Sequence, residues 1–144
     1  MSIAEIDARP GGRSPTSQVW SRLRVEAAAA AAEEPMLASF LHAAILRHGD
    51  FAEALAHRLA AKLSDAQLDS IVVRDVVENA LSGEPAIAER AARDMIAVDE
   101  RDPACRSLLQ PFLYFKGFHA LQGYRIAHWL WGEGRESLAF HLQS

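Results

Sequence analysis

The residues of this 144-residue chain that could do chemistry include six histidines, which can act as general bases or bind metal ions. A metal pair on one helix face needs ligands three or four residues apart. The pairs His42/His48, His48/His57 and His119/His128 are instead separated by six, nine and nine positions. We therefore predict ordinary surface or core histidines and no metal site.

Cys105 is the only cysteine, so it cannot form an internal disulfide, and a reducing cytoplasm is the simplest setting. No local signature marks it as a nucleophile. The sequence also has no phosphate-binding P-loop, no glycine-rich dinucleotide fingerprint and no G-x-S-x-G elbow. The residue patterns alone therefore identify no catalytic residue in this chain and leave its function open.

A further candidate is Asp102 in the segment Arg101-Asp102-Pro103-Ala104. An aspartate before a proline commonly caps a turn or a helix start, since proline suits the first helical turn. The alternative is a carboxylate that binds a cationic ligand, such as the ammonium group of an amino acid. Spacing alone does not separate these two interpretations.

The elements that would position these residues are helices. Apolar residues recur at helical spacing from about Ser17 onward, and no hairpin signal is present, so we predict an all-α fold, a multi-helix bundle of about seven helices. Residues 1–16 are predicted to be a flexible leader, and 17–144 the domain. The predicted elements are a first helix from Ser17, a second from Pro35 to near Gly49, a third capped by Asp50, a fourth capped by Ser64 or Asp65, a fifth after Pro85, a loop over Asp99–Gln110, a long helix over Pro111–Trp131 and a short last helix after Gly134.

The predicted helix Pro111–Trp131 carries most of the aromatic residues and is apolar on nearly every side, which indicates burial in a core or an interface. Its small residues share one arc and would let another backbone approach closely; they are Gly117, Ala120, Gly123 and Ala127. It has the length of a membrane span, but the polar side chains along it argue against one. The net charge of −4 and the absence of a basic patch argue against nucleic-acid binding.

Four stretches of the chain resemble the N-terminal helical domain of bacterial serine O-acetyltransferases, and the resemblance runs from about residue 17 to the C-terminus. The stretches are 34–40 (EPMLASF), 74–77 (RDVV), 101–104 (RDPA) and 113–122 with 124–131 (LYFKGFHALQ and YRIAHWLW). In that family a left-handed parallel β-helix of hexapeptide repeats follows the helical domain. The enzyme transfers acetyl from acetyl-CoA to the hydroxyl of L-serine, the first step of cysteine synthesis.

The resemblance implies that the catalytic histidine, its aspartate partner, the acetyl-CoA groove and the tail that docks into cysteine synthase all belong to parts absent from this chain. His119 and His128 are not the family's catalytic histidine. We therefore expect a cytoplasmic chain with no catalytic residue, cofactor, nucleic-acid partner or membrane partner, inactive by itself. The family's hexamers, two trimers joined through their helical domains, imply self-association.

One functional position carries over from the resemblance. The aspartate of the family's Arg-Asp-Pro-Ala stretch reaches the substrate serine, and the matching residue here is Asp102. A carboxylate suits the ammonium group of a zwitterionic amino acid. The alternative for the whole chain is a stand-alone helical module that binds another protein.

Overall fold

The computed structural model describes residues 14–143, and within that range the chain folds into eight α-helices with no β-strand. The predicted all-α fold is confirmed. The helices are α1 (Pro15–Glu33), α2 (Ala38–Leu41), α3 (Phe51–Leu63), α4 (Ser70–Gly83), α5 (Ala86–Arg101), α6 (Leu109–Tyr114), α7 (Lys116–Gly132) and α8 (Glu136–Gln143). Most of the predicted leader lies outside the described residues, and α1 already begins at Pro15, two residues before the predicted start.

Side-chain caps set the starts of three helices. Ser14 accepts from the Ser17 N–H at 3.2 Å, and Asp50 accepts from the Glu53 N–H at 2.8 Å, as predicted for α3. The prediction for α4 was wrong, because Asp69 is its cap and accepts from the N–H groups of Ile71 and Val72. The Asp65 carboxylate is instead used within the preceding loop, where it accepts from two backbone N–H groups at 2.7–2.8 Å.

The core forms around α3, whose buried side chains contact α1, α4 and α7. The spacing of Phe51, Leu55, Leu59 and Leu63 predicts one apolar stripe, and the first three are fully buried whereas Leu63 is half-buried. Removing each such side chain from water contributes roughly 1.5–3 kcal/mol, before the cost of ordering it. Most of the helical stability therefore comes from packing rather than from helix propensity.

The predicted long helix over Pro111–Trp131 is in fact two helices, α6 and α7, because the backbone is extended at Phe115. The break frees carbonyl groups at the end of α6, and two buried side chains bond them. The Arg58 guanidinium of α3 donates to the Leu113 carbonyl, and His119 Nε2 donates to the Phe112 carbonyl at 2.7 Å. These bonds offset the loss of helical hydrogen bonds at the break.

The small residues of α7 do not form one packed face. Gly123 lies against Leu63 of α3 and Ala127 is buried, whereas Gly117 and Ala120 are exposed. The closest approach involves a different glycine, Gly83 at the end of α4. A Cβ there would lie 2.5 Å from Cζ2 of Trp129, so the indole ring occupies the space that a side chain would need.

None of the helices described within residues 14–143 combines the length and apolar character needed to cross a membrane.

Candidate functional site

Asp102 lies directly after α5, at the point where the chain leaves that helix. Its backbone N–H donates to the Val98 carbonyl at 2.9 Å and closes the last turn. Its Oδ1 accepts from the Ala104 N–H at 2.9 Å, and its carbonyl accepts from the Cys105 N–H at 3.0 Å. The carboxylate therefore organises a turn after α5, and no helix starts at Pro103.

The Asp102 side chain borders an open groove of about 470 Å³ between the end of α5 and the α6–α7 break, lined also by Ala97, Val98, Arg101, Pro103 and Phe115. A second groove of about 790 Å³ shares Phe115 and continues over Tyr114 and Leu121. Both surfaces are mostly apolar. Asp102 thus places a carboxylate at the edge of an apolar surface, where a small cationic ligand could reach it.

The two carboxylates at the end of α5 have different surroundings: Asp99 forms an ion pair with another helix, and Asp102 borders the groove. Asp99, one turn before Asp102, forms a two-pronged pair with Arg22 of α1, with N–O distances of 2.8 and 3.0 Å. The hydrogen bond from Arg22 holds the pKa of Asp99 below its ordinary value. Within residues 14–143, Asp102 forms no comparable ion pair, so its charge is available to a ligand.

A polar network fixes the two helices that flank the groove. Asp94 of α5 accepts from Gln122 Nε2 at 3.0 Å and from the Arg125 guanidinium, and Arg125 also donates to Gln122 Oε1 at 2.9 Å. Gln122 is fully buried, so these bonds replace the water that it loses on folding. The network holds α5 against α7 and so helps to set the shape of the groove.

Cys105 lies three residues after Asp102 and is half-buried, with its thiol donating to the Ser107 carbonyl at 3.3 Å. Burial raises the pKa of the thiol above its ordinary value. Because the thiolate is the reactive form, this environment makes Cys105 a poor nucleophile.

None of the described histidines lines the groove beside Asp102. The rings of His48 and His57 are 5.0 Å apart, a proximity that their nine-residue separation does not indicate. His119 is buried, and burial lowers its pKa, so it donates to the Phe112 carbonyl as a neutral ring. His128 is exposed and stacks on Tyr124. Among the described residues, no group of three or more His, Cys, Asp or Glu side chains could hold a metal ion.

Sequence reasoning missed the α6–α7 break and the Arg22–Asp99 pair. The break was hidden because Tyr114–Gly117 contains no proline and keeps the helical spacing of apolar residues. Arg22 and Glu26 stand four residues apart, a visible helical pair. Their partner Asp99 is 77 residues from Arg22, and no local pattern connects the two.

Comparison with known proteins matches residues 19–123 to the sequence family "Serine acetyltransferase, N-terminal". The serine acetyltransferase of Escherichia coli strain K12 is 49% identical over 126 residues, which is 88% of this chain and 46% of the relative. A solved serine acetyltransferase in complex with CoA superposes with a TM-score of 0.87 at 47% identity, over 89% of this chain and 55% of that one.

A Neisseria gonorrhoeae serine acetyltransferase solved in complex with serine superposes with a TM-score of 0.83 at 46% identity, over 87% of this chain and 52% of that one. This chain thus spans about half the length of the relatives that it matches. The sequence match, the identity and the superposition all point to one family. The chain belongs to the serine acetyltransferase family, whose N-terminal helical part it matches.

Proposed function

We propose that this chain is the oligomerisation and substrate-side domain of a serine O-acetyltransferase, which transfers acetyl from acetyl-CoA to the hydroxyl of L-serine. Family membership supports the reaction class. The observation that carries the substrate-side role is the Asp102 carboxylate at the edge of an open groove, without an ion-pair partner among the described residues. A relative solved with serine supports the choice of substrate.

Asp102 binds the ammonium group of serine in this proposal. A charge-assisted hydrogen bond contributes about 1.5–3 kcal/mol, which corresponds to roughly a 10- to 150-fold change in affinity. The carboxylate Oδ1 already accepts from the Ala104 N–H, and that bond orients the group. Asp102 is therefore a binding residue that holds serine while groups outside this chain carry out acyl transfer.

The test uses a hybrid enzyme in which this chain replaces the matching part of the Escherichia coli serine acetyltransferase. Asp102→Asn keeps the turn, because the asparagine oxygen still accepts from the Ala104 N–H, but it removes the charge. We expect the KM for serine to rise at least tenfold while the KM for acetyl-CoA stays the same. Equal serine KM values in the two proteins would refute this role.

The chain by itself is inactive in this proposal. None of the described histidines lines the groove beside Asp102, where a general base for the serine hydroxyl would have to lie. A thiol-release assay with acetyl-CoA and serine measures the activity of the chain directly. The assay uses the Cys105→Ser variant, so that the protein has no thiol of its own to react. Turnover above the uncatalysed rate would contradict the proposal.

Self-association is the second part of the proposal, and exposed apolar side chains support it. Met36 is 88% exposed, Ile71 74%, Val25 70% and Phe140 68%. The ring of Phe140 lies 6.4 Å from that of Trp131, which is itself 49% exposed, and neighbouring exposed apolar side chains of this kind mark interaction surfaces. Light scattering at micromolar concentration is expected to report an oligomer, and a monomer throughout would contradict it.

The same exposed side chains would also serve the alternative of a stand-alone interaction module. An affinity pull-down from cell extract separates the two, because the proposed function predicts recovery of further copies of this chain or of serine acetyltransferase. Stoichiometric recovery of one unrelated partner, identified by mass spectrometry, would favour the module.

A further inference from the structure

We infer that Arg22, Glu26 and Asp99 form a clamp that positions Asp102 for its substrate. The inference rests on the proposed function of Asp102 as the serine-binding carboxylate. The three residues lie on α1 and α5, and none of them borders the groove beside Asp102. They act on the substrate only through the segment that carries Asp102, so they are positioning residues.

The clamp joins one turn of α1 to both ends of the segment 102–108. At the near end, the Arg22 guanidinium donates to both carboxylate oxygens of Asp99, three residues before Asp102. At the far end, Glu26 Oε1 accepts from the Leu108 N–H at 2.8 Å. Arg22 Nε donates to Glu26 Oε2 at 2.8 Å, so the two ends share one connected network.

The ion pairs of the clamp are partly shielded from solvent, which makes them stronger than fully exposed pairs. The side chains of Glu26 and Asp99 are only 20% and 22% exposed, and Arg22 is 44% exposed. Two-pronged pairing between a guanidinium and a carboxylate fixes direction as well as distance. Because α1 packs against α5, its Arg22 side chain can fix the last turn of α5 without distorting either helix.

The other hydrogen bonds of the segment are local and do not tie it to α1. Within the described residues they run from Asp102 to Val98, from Ala104 and Cys105 to Asp102, from Cys105 and Gln110 to Ser107, from Arg106 to Gln110 and from Phe112 to Leu108. The buried Leu108 side chain anchors the far end by packing. The Asp102 N–H bond fixes the turn relative to the end of α5, and the clamp fixes the end of α5 and the far end of the segment relative to α1.

The reactivity of the Cys105 thiol reports whether the segment 102–108 is held in place, and it can be measured in this chain without the hybrid enzyme. Its thiol is half-buried and donates to the Ser107 carbonyl, so we expect it to react faster with the disulfide reagent DTNB when the segment opens; the thiolate then displaces one thionitrobenzoate ion. In Arg22→Gln and Glu26→Ala we expect the rate of the Cys105 reaction with DTNB to rise about threefold or more, because each variant loses a partly covered ion pair that holds the segment closed. Circular dichroism confirms that each variant remains folded.

Arg74→Gln is a matched control. Arg74 and Glu78 form the same Nε–O pair at 2.8 Å with the same spacing, but on α4, away from the segment. Its Cys105 rate is expected to equal that of the unchanged protein. Equal rates in all four proteins, or the same rise in Arg74→Gln as in Arg22→Gln, would overturn the inference.

The link to substrate is tested in the hybrid enzyme. We expect Arg22→Gln to raise the KM for serine severalfold and to leave the KM for acetyl-CoA unchanged, which general destabilisation would not do. Arg22→Lys is expected to restore part of the affinity. A serine KM that rises in Asp102→Asn but not in Arg22→Gln would overturn the inference. A serine KM unaffected by Asp102→Asn would instead refute the proposed function, while the Cys105 rates still decide whether the clamp exists.

Discussion

Replacing Gly83 with alanine tests how closely α4 approaches α7. The added Cβ would lie 2.5 Å from Cζ2 and 3.0 Å from Cε2 of Trp129, whereas ordinary contacts begin at 3.4 Å. The difference of 0.9 Å (3.4 minus 2.5) must be met by movement of a rigid ring that packs against the core. We therefore expect the substitution to be destabilising although alanine is the better helix former.

The expected magnitude follows from two opposed effects. Overpacking of this kind costs about 1–3 kcal/mol, and exchanging glycine for alanine in a helix returns about 0.5–1 kcal/mol. The net loss in the free energy of unfolding is then between about 0 and 2.5 kcal/mol, with a midpoint of about 1 kcal/mol. For a domain of this size, each kcal/mol lowers Tm by roughly 3–5 °C.

Urea unfolding followed by tryptophan fluorescence measures the loss, and Gly132→Ala is the matched control. Gly132 is also the last residue of its helix, but a Cβ there would meet nothing within 4 Å. Its stability should stay the same or rise by up to about 1 kcal/mol. If Gly83→Ala is as stable as Gly132→Ala, α4 and α7 do not approach as described.

Three further predictions concern single interactions. Asp69→Ala removes the cap of α4 and should cost about 1 kcal/mol in urea unfolding, whereas Asp75→Ala, at an exposed position of the same helix, should change little. Arg58→Met leaves the buried Leu113 carbonyl without its donor and should cost about 1–3 kcal/mol by the same assay; an unchanged midpoint would contradict the role given to Arg58. Burial lowers the pKa of His119, so its contribution is complete above its ordinary pKa of about 6.5 and is lost as pH falls below that value; urea midpoints should fall from pH 7.5 to 5.5, and less steeply in His119→Gln.

The helical fold could be predicted because helix spacing and caps are local features of the sequence. The structure confirms the predicted Asp50 cap and buries Phe51, Leu55 and Leu59 of the predicted stripe, while Leu63 at its end is half-buried. The Asp69 cap was missed because Ser64 and Asp65 offer the same side-chain chemistry a few residues earlier. Only the loop between them determines which carboxylate meets the helix.

Long-range contacts explain what could not be predicted at the site. The bond from Arg58 to the Leu113 carbonyl spans 55 residues, and it stabilises a break that the spacing of apolar residues conceals. Asp102 itself was identified by resemblance, since its chemistry alone fits a turn as well as a ligand site. The structure shows that one carboxylate can cap the turn and still border the groove.

The serine dependence of the hybrid enzyme with and without Asp102→Asn decides whether this domain binds the substrate. We expect an active hybrid whose serine KM rises at least tenfold on substitution, with the acetyl-CoA KM unchanged. An active hybrid in which Asp102→Asn leaves the serine KM unaltered would contradict the assignment of this domain to the substrate side of the reaction.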